Sequence, residues 1–557
     1  MSAHAKEEAA SRPKAVGGGW LAGVPGRQVL VDSGAPVSWR EHQAERDPTR
    51  AHASASPYPQ VCGNFPCVGV EDGEMAKRER AQSARIAMFV IAAATLLAAV
   101  DAIASPPPRL MWKRESSLCM VSRPALGDDG TFYASALPSA ACDLSSSYGM
   151  TAFRSIDGSD LWGPVLAPGC SQFGPLGGRG VSVDSSGKLF VLNDANSCGN
   201  GALVAMDGAT GAIAWTHAGC AGSPHPRHTP AIDESLNSVY FGSASLCSVD
   251  SATGADKWST GGGYYIGARG IGIDTSGNIF NGSYDGQGQY TKFRSLTSDG
   301  VVRWDRTFTA NAPAIQAIQD DGSILLWDNV AFTMESWESD GSGRWANGNF
   351  RYPVTDESGN VYATGAGVPD VISFDASGNQ RWLTTLPCSD RATTDFIDNA
   401  GNLYVHNGDT LFALDSGDGS VLWAFRMDTG FNAGHSDNPS VVLAPGGRIF
   451  LSDSAGGFYL LDTAVEYAAS SWPLAESADR RNTGHAGRNL PTPAPAAGCG
   501  NGILDGAEEC DTPSDSACPG RCAYPGQAGA CTCLAEPHAP SAVFACTDAC
   551  GDGVVTT

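Results

Sequence analysis

The chain lacks an excess of positive charge, and this absence excludes two classes of partner. Its 557 residues carry 35 Lys and Arg against 59 Asp and Glu, a formal net charge of −24 at pH 7. A body this acidic repels the phosphates of nucleic acids and the anionic surfaces of membranes. The sequence also has no Cys-x-x-Cys-His haem attachment, no Gly-x-Ser-x-Gly motif and no phosphate-cradling glycine loop.

Long apolar runs are also missing, because the apolar segment near the amino terminus is shorter than the ~20 residues of a membrane span. A basic stretch after Met75 precedes this segment and Ala102-Ile-Ala follows it, which predicts a secretory signal peptide over residues 75–104. The alternative is a membrane anchor, and membrane contact is expected only if residues 86–104 are retained. We expect translation to start at Met75, which would make residues 1–74 a non-native or disordered extension.

A unit of four short strands recurs along most of the remaining chain. The second strand of each unit follows a turn, often Asp-x-x-Gly, as in Gly187-KLFV and Gly359-NVYA. Asp caps such a turn and Gly accepts positive φ, so the pattern indicates short hairpins; calcium loops are the alternative, but the alternating oxygen ligands are missing. Four strands repeated every ~40–50 residues predict an all-β fold, an eight-bladed β-propeller over residues 106–488, with seven blades as the alternative count.

Each unit closes on a Trp that follows a second glycine turn. These tryptophans are Trp112, Trp162, Trp215, Trp258, Trp304, Trp345, Trp382 and Trp423. One Trp at the same place in each unit predicts a packing wedge between blades; a sugar-stacking row is the alternative. The Trp112 strand has no first three strands ahead of it, and the last unit has a degenerate fourth strand. We therefore expect the amino-terminal strand to complete the last blade and remove the open edge.

The motif that ends each unit, as in Asp207-GATGAIAW, resembles the tryptophan motif of the pyrroloquinoline-quinone-like (PQQ-like) propeller repeats. Trp472-PLAESADRRNTG is similar to the tail that often ends such propellers. The resemblance covers about residues 110–488 and implies eight blades. The name-giving members are quinone-dependent dehydrogenases, which typically carry a vicinal Cys-Cys disulfide over the cofactor.

This chain has no adjacent cysteines, and no catalytic residue or calcium ligand can be carried over from the resemblance. We therefore expect no cofactor, no metal and no catalysis. The alternative is a divergent PQQ-dependent dehydrogenase that binds PQQ together with calcium.

Seventeen cysteines behind a signal peptide indicate an oxidising compartment. Three of them follow a closing Trp, and three others lie between the second and third strands of the next blade, at the same end. This placement predicts three intrablade disulfides, Cys119–Cys142, Cys170–Cys198 and Cys220–Cys247. Cys388 also follows its Trp, but its blade offers no partner, so we expect it to be free or paired elsewhere.

The turns and loops give the predicted ring two unlike ends. The Asp-x-x-Gly turns and the turns before each Trp form a short, uniform end, called here the hairpin end. The longer loops at residues 134–149, 193–201, 219–230, 281–289 and 427–438 form the other, called the loop end. Because binding residues usually lie on variable loops of a rigid scaffold, we expect recognition at the loop end.

The carboxy-terminal segment differs in composition from the repeats. A Pro/Ala linker at residues 489–498 leads to a cysteine-dense stretch at residues 499–557. Its opening, Cys499-GNGILDGAEECD, is similar to the myxococcal cysteine-rich repeat family, and Cys550-GDGVV resembles the start of a second, truncated copy. Such a density of Cys with few apolar residues predicts a small disulfide-rich domain.

These features together favour a secreted or cell-surface, extracytoplasmic protein. The predicted function is non-catalytic binding or scaffolding, in which the loop end is presented to a protein or glycan partner. Two alternatives stay open: the divergent dehydrogenase, and an envelope assembly factor resembling the outer-membrane-assembly propeller of the same repeat family. Fold alone does not decide among them.

Overall fold

Eight antiparallel sheets of four or five strands make up the described part of the chain in this computed structural model. The structure describes residues 108–115, 119–120, 122–137, 149–165, 180–192, 203–218, 229–242, 245–260, 265–284, 290–308, 313–328, 331–387, 391–428, 441–453, 456–475, 477–488 and 490–493, and also Cys510 and Cys533. These sheets are the blades of an eight-bladed β-propeller, so the predicted fold and blade count are confirmed. No helix among the described residues is long and apolar enough to cross a membrane.

The strands are numbered along the chain, and within a blade they run in order from the innermost to the outermost strand. Blade 1 contains β2 (Cys119–Met120), β3 (Ala125–Leu126), β4 (Thr131–Leu137), β5 (Gly149–Arg154) and β6 (Asp160–Val165); blade 2 contains β7 (Ser182–Val183), β8 (Lys188–Leu192), β9 (Leu203–Asp207) and β10 (Ile213–His217). Blade 3 contains β11 (Ala231–Asp233), β12 (Ser238–Gly242), β13 (Leu246–Asp250) and β14 (Asp256–Ser259), with a 3-10 helix, Glu234–Leu236, between its first two strands. Blade 4 contains β15 (Tyr265–Ile273), β16 (Ile279–Tyr284), β17 (Tyr290–Leu296) and β18 (Val302–Thr307).

The second half of the ring follows the same plan. Blade 5 contains β19 (Ala314–Ile318), β20 (Ile324–Asp328), β21 (Thr333–Trp337) and β22 (Gly343–Asn347); blade 6 contains β23 (Phe350–Thr355), β24 (Val361–Gly365), β25 (Asp370–Phe374) and β26 (Gln380–Thr385). Blade 7 contains β27 (Ala392–Ile397), β28 (Asn402–Asn407), β29 (Thr410–Asp415) and β30 (Val421–Arg426); blade 8 contains β31 (Val441–Ala444), β32 (Arg448–Ser452), β33 (Gly457–Asp462) and β1 (Arg109–Glu115).

The ring closes in blade 8, where the two ends of the repeat array share one sheet. The amino-terminal strand β1 pairs antiparallel with β33, in a register that sets Trp112 opposite Leu460 and Glu115 opposite Gly457. The prediction that the Trp112 strand completes the last blade is therefore confirmed. This pairing covers an edge that would otherwise stay open between the first and last blades.

The closing tryptophans pack against the turns of neighbouring blades. Trp162 donates its indole N–H to the carbonyl of Gly208 at 2.7 Å, and a Cβ added at Gly211 would lie 2.7 Å from its Cε3 atom. The same close approach of an indole ring to a turn glycine joins Trp215 to Gly254, Trp258 to Gly300, Trp304 to Gly341, Trp345 to Gly378, Trp382 to Gly419 and, across the closure, Trp112 to Gly158. Within one Gly-x-x-x-Trp motif, the Gly therefore contacts the Trp of the preceding blade, and the Trp contacts the Gly of the following blade. Trp423 is buried beside Tyr404, with ring centroids 5.7 Å apart.

The Asp-x-x-Gly hairpins are closed local hydrogen-bond systems. One carboxylate oxygen of Asp398 accepts the amides of Ala400 at 2.9 Å and Asn402 at 2.7 Å. The other accepts the Asn402 side chain at 2.8 Å and the Tyr404 hydroxyl at 2.9 Å. Asp356 makes the equivalent bonds within its own hairpin. These carboxylates therefore act as turn caps whose acceptor positions are occupied by protein donors.

After β33 the chain does not form a fourth strand of its own but crosses the inner strands at the hairpin end. Residues 463–488, called here the tail, first reach blades 6 and 7. The amide of Thr355 donates to the carbonyl of Trp472, and the amide of Ile397 donates to that of Pro473, both at 2.9 Å. Trp472 is 4% exposed in this position. It is thus a core residue of the tail rather than a blade-closing Trp.

The tail then continues across blades 1 to 4 in order. The inner-strand amides of Leu126, Val183, Ile232 and Ile273 donate to the carbonyls of Arg480, Arg481, Thr483 and Gly484 at 2.8, 3.0, 2.9 and 2.9 Å. One continuous segment thereby binds six blades through their backbones. The sequence motif of the tail did not indicate this path.

Candidate interaction surface at the loop end

Most of the loops that the sequence singles out for recognition lie outside the described residues. This holds for most of residues 134–149, 193–201, 219–230 and 427–438, so recognition by these loops stays a prediction. Two of the predicted loops begin too early, because residues 134–137 continue β4 and residues 281–284 continue β16. The described part of the loop end lies mainly on blades 5 to 8.

The cysteines are described only in part. Cys119 lies on β2, while Cys142, Cys170, Cys198, Cys220 and Cys388 lie outside the described residues. Cys247 is the second residue of β13 rather than a loop residue, and it is disulfide-bonded. Cys510 and Cys533 of the carboxy-terminal segment are also disulfide-bonded. The three predicted pairings remain predictions, as does the disulfide-rich domain.

An aromatic and arginine cluster occupies the described loop end between blades 5 and 6. Trp327 is the penultimate residue of β20, and its ring centroid lies 3.7 Å from the guanidinium carbon of Arg351, which lies near the start of β23. Phe332, in the turn that leads to β21, meets the Trp327 ring edge-on with centroids 6.5 Å apart. Trp327 is 5% exposed, whereas Phe332 is 53% exposed. The cluster therefore offers a solvent-facing aromatic ring on a buried, packed base.

The same combination recurs at the next blade boundary. Arg391, just before β27, lies with its guanidinium carbon 5.0 Å from the ring centroid of Tyr352. It also donates a hydrogen bond to the Tyr352 hydroxyl. Trp327, Phe332, Arg351, Tyr352 and Arg391 are called here the loop-end cluster. An arginine stacked on an aromatic face gains a cation–π attraction.

Two members of this cluster have an unfavourable backbone conformation. Phe332 has φ of +52° and Tyr352 has φ of +55°. A bulky non-glycine residue in the left-handed region is strained, and such residues collect at binding and catalytic sites. Tyr352 lies where the register between β23 and β24 shifts, so a bulge produces its conformation. The strain marks this boundary as a candidate site.

A buried ionic cluster lies deeper in the ring, on blade 7. Asp395 is the bulged residue of β27 and is fully buried, with both carboxylate oxygens 2.9–3.0 Å from Nδ1 of His406. Burial raises the pKa of Asp395, and the neighbouring His406 and Arg123 oppose that rise. Arg123 donates to the carbonyls of Ala475 and Asp395. The cluster therefore joins blade 1, blade 7 and the tail.

These residues do not fit a quinone site with calcium. In the part of the chain that the structure describes, no three or more His, Cys, Asp or Glu side chains converge as metal ligands. The Asp395 carboxylate contacts His406, and the Asp398 oxygens accept bonds from their own hairpin. We therefore derive no catalytic step through PQQ.

The eight antiparallel blades and their Trp–Gly contacts define the class of this protein, a β-propeller of PQQ-like repeats. The chain belongs to the family described as outer membrane protein assembly factor BamB, whose model matches residues 149–323 and 315–483, more than half of the chain. The resemblance to PQQ-like repeats is thereby confirmed. The myxococcal-type repeat, apart from Cys510 and Cys533, lies outside the described residues. No curated protein matches the sequence.

Several solved structures share the general fold. BamB from Moraxella catarrhalis is 15% identical with a TM-score of 0.41, over 63% of this chain and 98% of its own. The quinohemoprotein alcohol dehydrogenase from Comamonas testosteroni is 14% identical with a TM-score of 0.44, over 63% of this chain and 76% of its own. The computationally designed Ika8 protein is 11% identical with a TM-score of 0.45, over 64% and 100%. At these identities and TM-scores the similarities carry no argument about function.

The loop-end cluster was not predicted from the sequence. The sequence placed recognition on long loops, whereas Phe332 and Arg351 lie beside short connections between strands. One sequence feature points to them: Trp327 stands outside the blade-closing positions, where the repeat pattern does not explain a Trp. The stacking of Arg351 on it depends on how two blades meet, which no local pattern encodes.

Proposed function

We propose that this protein is a non-catalytic, extracytoplasmic binding scaffold that presents the loop end of its propeller to a protein partner. The observation that carries the proposal is the loop-end cluster, in which half-exposed Phe332 packs edge-on against Trp327 and Arg351 stacks on the same Trp327 ring. Aromatic and arginine side chains on a packed base are enriched among residues that dominate binding energy. Membership in a family described as an outer membrane protein assembly factor supports a role in protein binding outside the cytoplasm.

The contrast between the tail at the hairpin end and the exposed cluster at the loop end supports the same role. The tail occupies the inner-strand ends at the hairpin end, through backbone hydrogen bonds to six blades. The loop-end cluster, in contrast, places a large apolar side chain in solvent and holds it in a strained conformation. Extracytoplasmic location is supported by the disulfide-bonded Cys247, Cys510 and Cys533, because such bonds persist in oxidising compartments.

The test is site-directed photo-crosslinking with a photoreactive phenylalanine at position 332, in cells that express the full chain. We expect a discrete crosslinked protein partner whose yield falls at least about tenfold when Arg351 is changed to Ala, because hot-spot substitutions cost ~2 kcal/mol or more. Leu383, which is 49% exposed on the outer strand β26, is the matched control position. Equal crosslinking at positions 332 and 383 would contradict the proposal.

The glycan alternative and the dehydrogenase alternative have their own readouts. A glycan array with the full chain should give no Phe332-dependent binding if the partner is a protein. Addition of PQQ and calcium should produce neither cofactor absorbance on the protein nor dye reduction with alcohols. A saturable, calcium-dependent PQQ spectrum would favour the dehydrogenase instead.

A further inference from the structure

Four residues of the segment that the sequence predicts to be a linker are bound to the hairpin end of the ring. Residues 490–493, called here the strap, follow the tail and precede the cysteine-dense segment. Thr492 is only 9% exposed, although a threonine in an unattached linker would lie in solvent. Contacts with the ring and the tail therefore determine the position of the strap.

A carboxylate of the tail binds Thr492 through two hydrogen bonds. One oxygen of Glu466 accepts the Thr492 amide at 2.8 Å, and the other accepts the Thr492 hydroxyl. Asp207 accepts the amide and the hydroxyl of Thr210 in the same way, but these two residues are three positions apart in one turn. Glu466 and Thr492 are 26 positions apart, so their pairing is not a local turn cap. The Glu466 carbonyl also accepts the amide of Asn399 at 2.8 Å, which places this pair beside the blade 7 hairpin.

The two prolines of the strap are bound through their carbonyl groups. The Arg480 side chain donates to the carbonyl of Pro491 at 2.7 Å. The amide of Gly446, in the turn between β31 and β32 of blade 8, donates to the carbonyl of Pro493 at 3.1 Å. Because proline has no N–H, Thr492 supplies the one backbone donor of residues 491–493, and that donor is bound by the tail carboxylate. The strap therefore matches its surroundings donor to acceptor.

A cavity beside the strap indicates that hydrogen bonds, rather than close apolar packing, hold it in place. Leu490 and Pro491 line this cavity of about 190 Å³ together with Tyr467 and Pro473 of the tail. The volume lies below the ~300 Å³ at which pockets for small ligands start. The bonds of Thr492 and of the two proline carbonyls are therefore the contacts on which the position of the strap depends.

We propose that the strap holds the tail closed on blades 7 and 8 and makes the carboxy-terminal segment begin at the hairpin end. The tail crosses six blades, and the strap then returns the chain to Glu466, near the start of the tail, and to Gly446 of blade 8. The binding surface formed by Glu466, Arg480 and Gly446 thus has residues 490–493 of this chain as its partner. The first residues beyond the ring are kept at the end opposite the loop-end cluster.

Hydrogen exchange of the full chain, measured by mass spectrometry of its peptides, tests the proposal. Pro491 and Pro493 carry no amide hydrogen, so exchange within the strap reports on Leu490 and Thr492 alone. Thr492→Val keeps the shape of the side chain and removes its hydroxyl. We expect exchange in the strap to become at least about tenfold faster, because a hydrogen bond to a charged group contributes at least that factor.

Two further variants separate the strap from general effects on the fold. Glu466→Gln should also speed exchange in the strap, since an amide offers one acceptor oxygen where the carboxylate offers two. Thr210→Val is the matched control, because it removes the same kind of threonine–carboxylate bond from a blade 2 turn. This control should leave exchange in the strap unchanged.

Intramolecular photo-crosslinking in the full chain gives a second readout. A photoreactive phenylalanine in place of Leu490 should crosslink to the tail residues that line the cavity, and the yield should fall in Thr492→Val. Three results would overturn the proposal: equal exchange in wild type and Thr492→Val, equal acceleration by Thr210→Val, or no crosslink from position 490 to the tail. None of these measurements involves the loop-end cluster, so they can fail without any consequence for the proposed binding function.

Discussion

The hairpin end and the loop end of this propeller are built from the same eight repeats, yet they are stabilised in different ways. At the hairpin end, backbone hydrogen bonds hold the turns and the tail: the Asp398 carboxylate accepts donors of its own hairpin, and the Arg480 carbonyl accepts the Leu126 amide. At the described loop end, blades meet through side chains, with Arg351 on Trp327 and Arg391 on Tyr352. Backbone hydrogen bonds join the tail to six blades at the hairpin end, whereas stacked side chains join blades 5, 6 and 7 at the described loop end.

Under the proposed function, stability depends on the hairpin end and recognition on the loop end. Tail residues such as Trp472 and Thr483 are buried, and their loss should affect the whole ring. Phe332 is exposed and strained, so the fold would be no worse without its side chain. The four predictions below test this separation, beginning with the largest effect on the free energy of unfolding.

Trp472→Ala should destabilise the protein most, by about 3–5 kcal/mol, because it removes a large buried side chain from the tail. Chemical denaturation of the full chain measures the change. Phe332→Ala is the control from the other end and should change stability by less than about 0.5 kcal/mol. Similar losses in the two variants would remove the distinction between the ends.

Gly211→Ala should cost about 2–4 kcal/mol, from left-handed backbone strain together with overpacking. The new Cβ would lie 2.7 Å from Trp162, on a residue with φ of +70°. Gly187→Ala is a matched control, since its φ is +79° but no atom lies within 4 Å of the new Cβ. It should cost only about 1–2 kcal/mol. If thermal unfolding showed equal losses, the Trp–Gly contact would not hold blades together.

Glu234→Gln should lower stability by about 1–2 kcal/mol at neutral pH, because Glu234 accepts bonds from Arg481 and Arg488 of the tail. Burial alone would raise the pKa of Glu234, but these arginines hold it below the usual 4.5. A lowered pKa stabilises the fold above the usual value, and the benefit is lost as the pH falls.

Denaturation midpoints of wild type and Glu234→Gln should therefore converge in acid. Glu338→Gln, which changes an exposed carboxylate 3.3 Å from Arg344, should show a smaller difference at neutral pH. A Glu234→Gln difference that persists unchanged at acid pH would exclude the ionic explanation.

Phe332→Gly should have the smallest effect on stability and the opposite sign, a gain of up to about 1 kcal/mol. Glycine relieves the left-handed strain at this position, although it also adds freedom to the unfolded chain. The same change should abolish partner binding at the loop end, as measured by co-purification with the partner identified by crosslinking. A destabilised variant would mean that the Phe332 side chain supports blade 5, and a variant that still binds would contradict its role in binding.

Sequence patterns predicted much of the fold because each turn and strand of a repeat is formed by residues that are close together in the sequence. The Asp-x-x-Gly turns predicted the hairpins, the closing tryptophans predicted the outer strands, and the orphan Trp112 strand predicted the closure. The candidate sites were not predicted, since each depends on contacts between blades. Trp327 and Arg351 lie in different blades, and only the packing of the ring brings them together.

The sequence by itself determined an eight-bladed ring, because hydrogen bonding in turns and the alternation of buried residues along strands are short-range effects. Only the tertiary structure decided the path of the tail over the inner strands, since that path depends on backbone groups left available by six separate blades. It also decided that Arg351 stacks on Trp327, because these two residues belong to different blades and meet only once blade 5 has packed against blade 6.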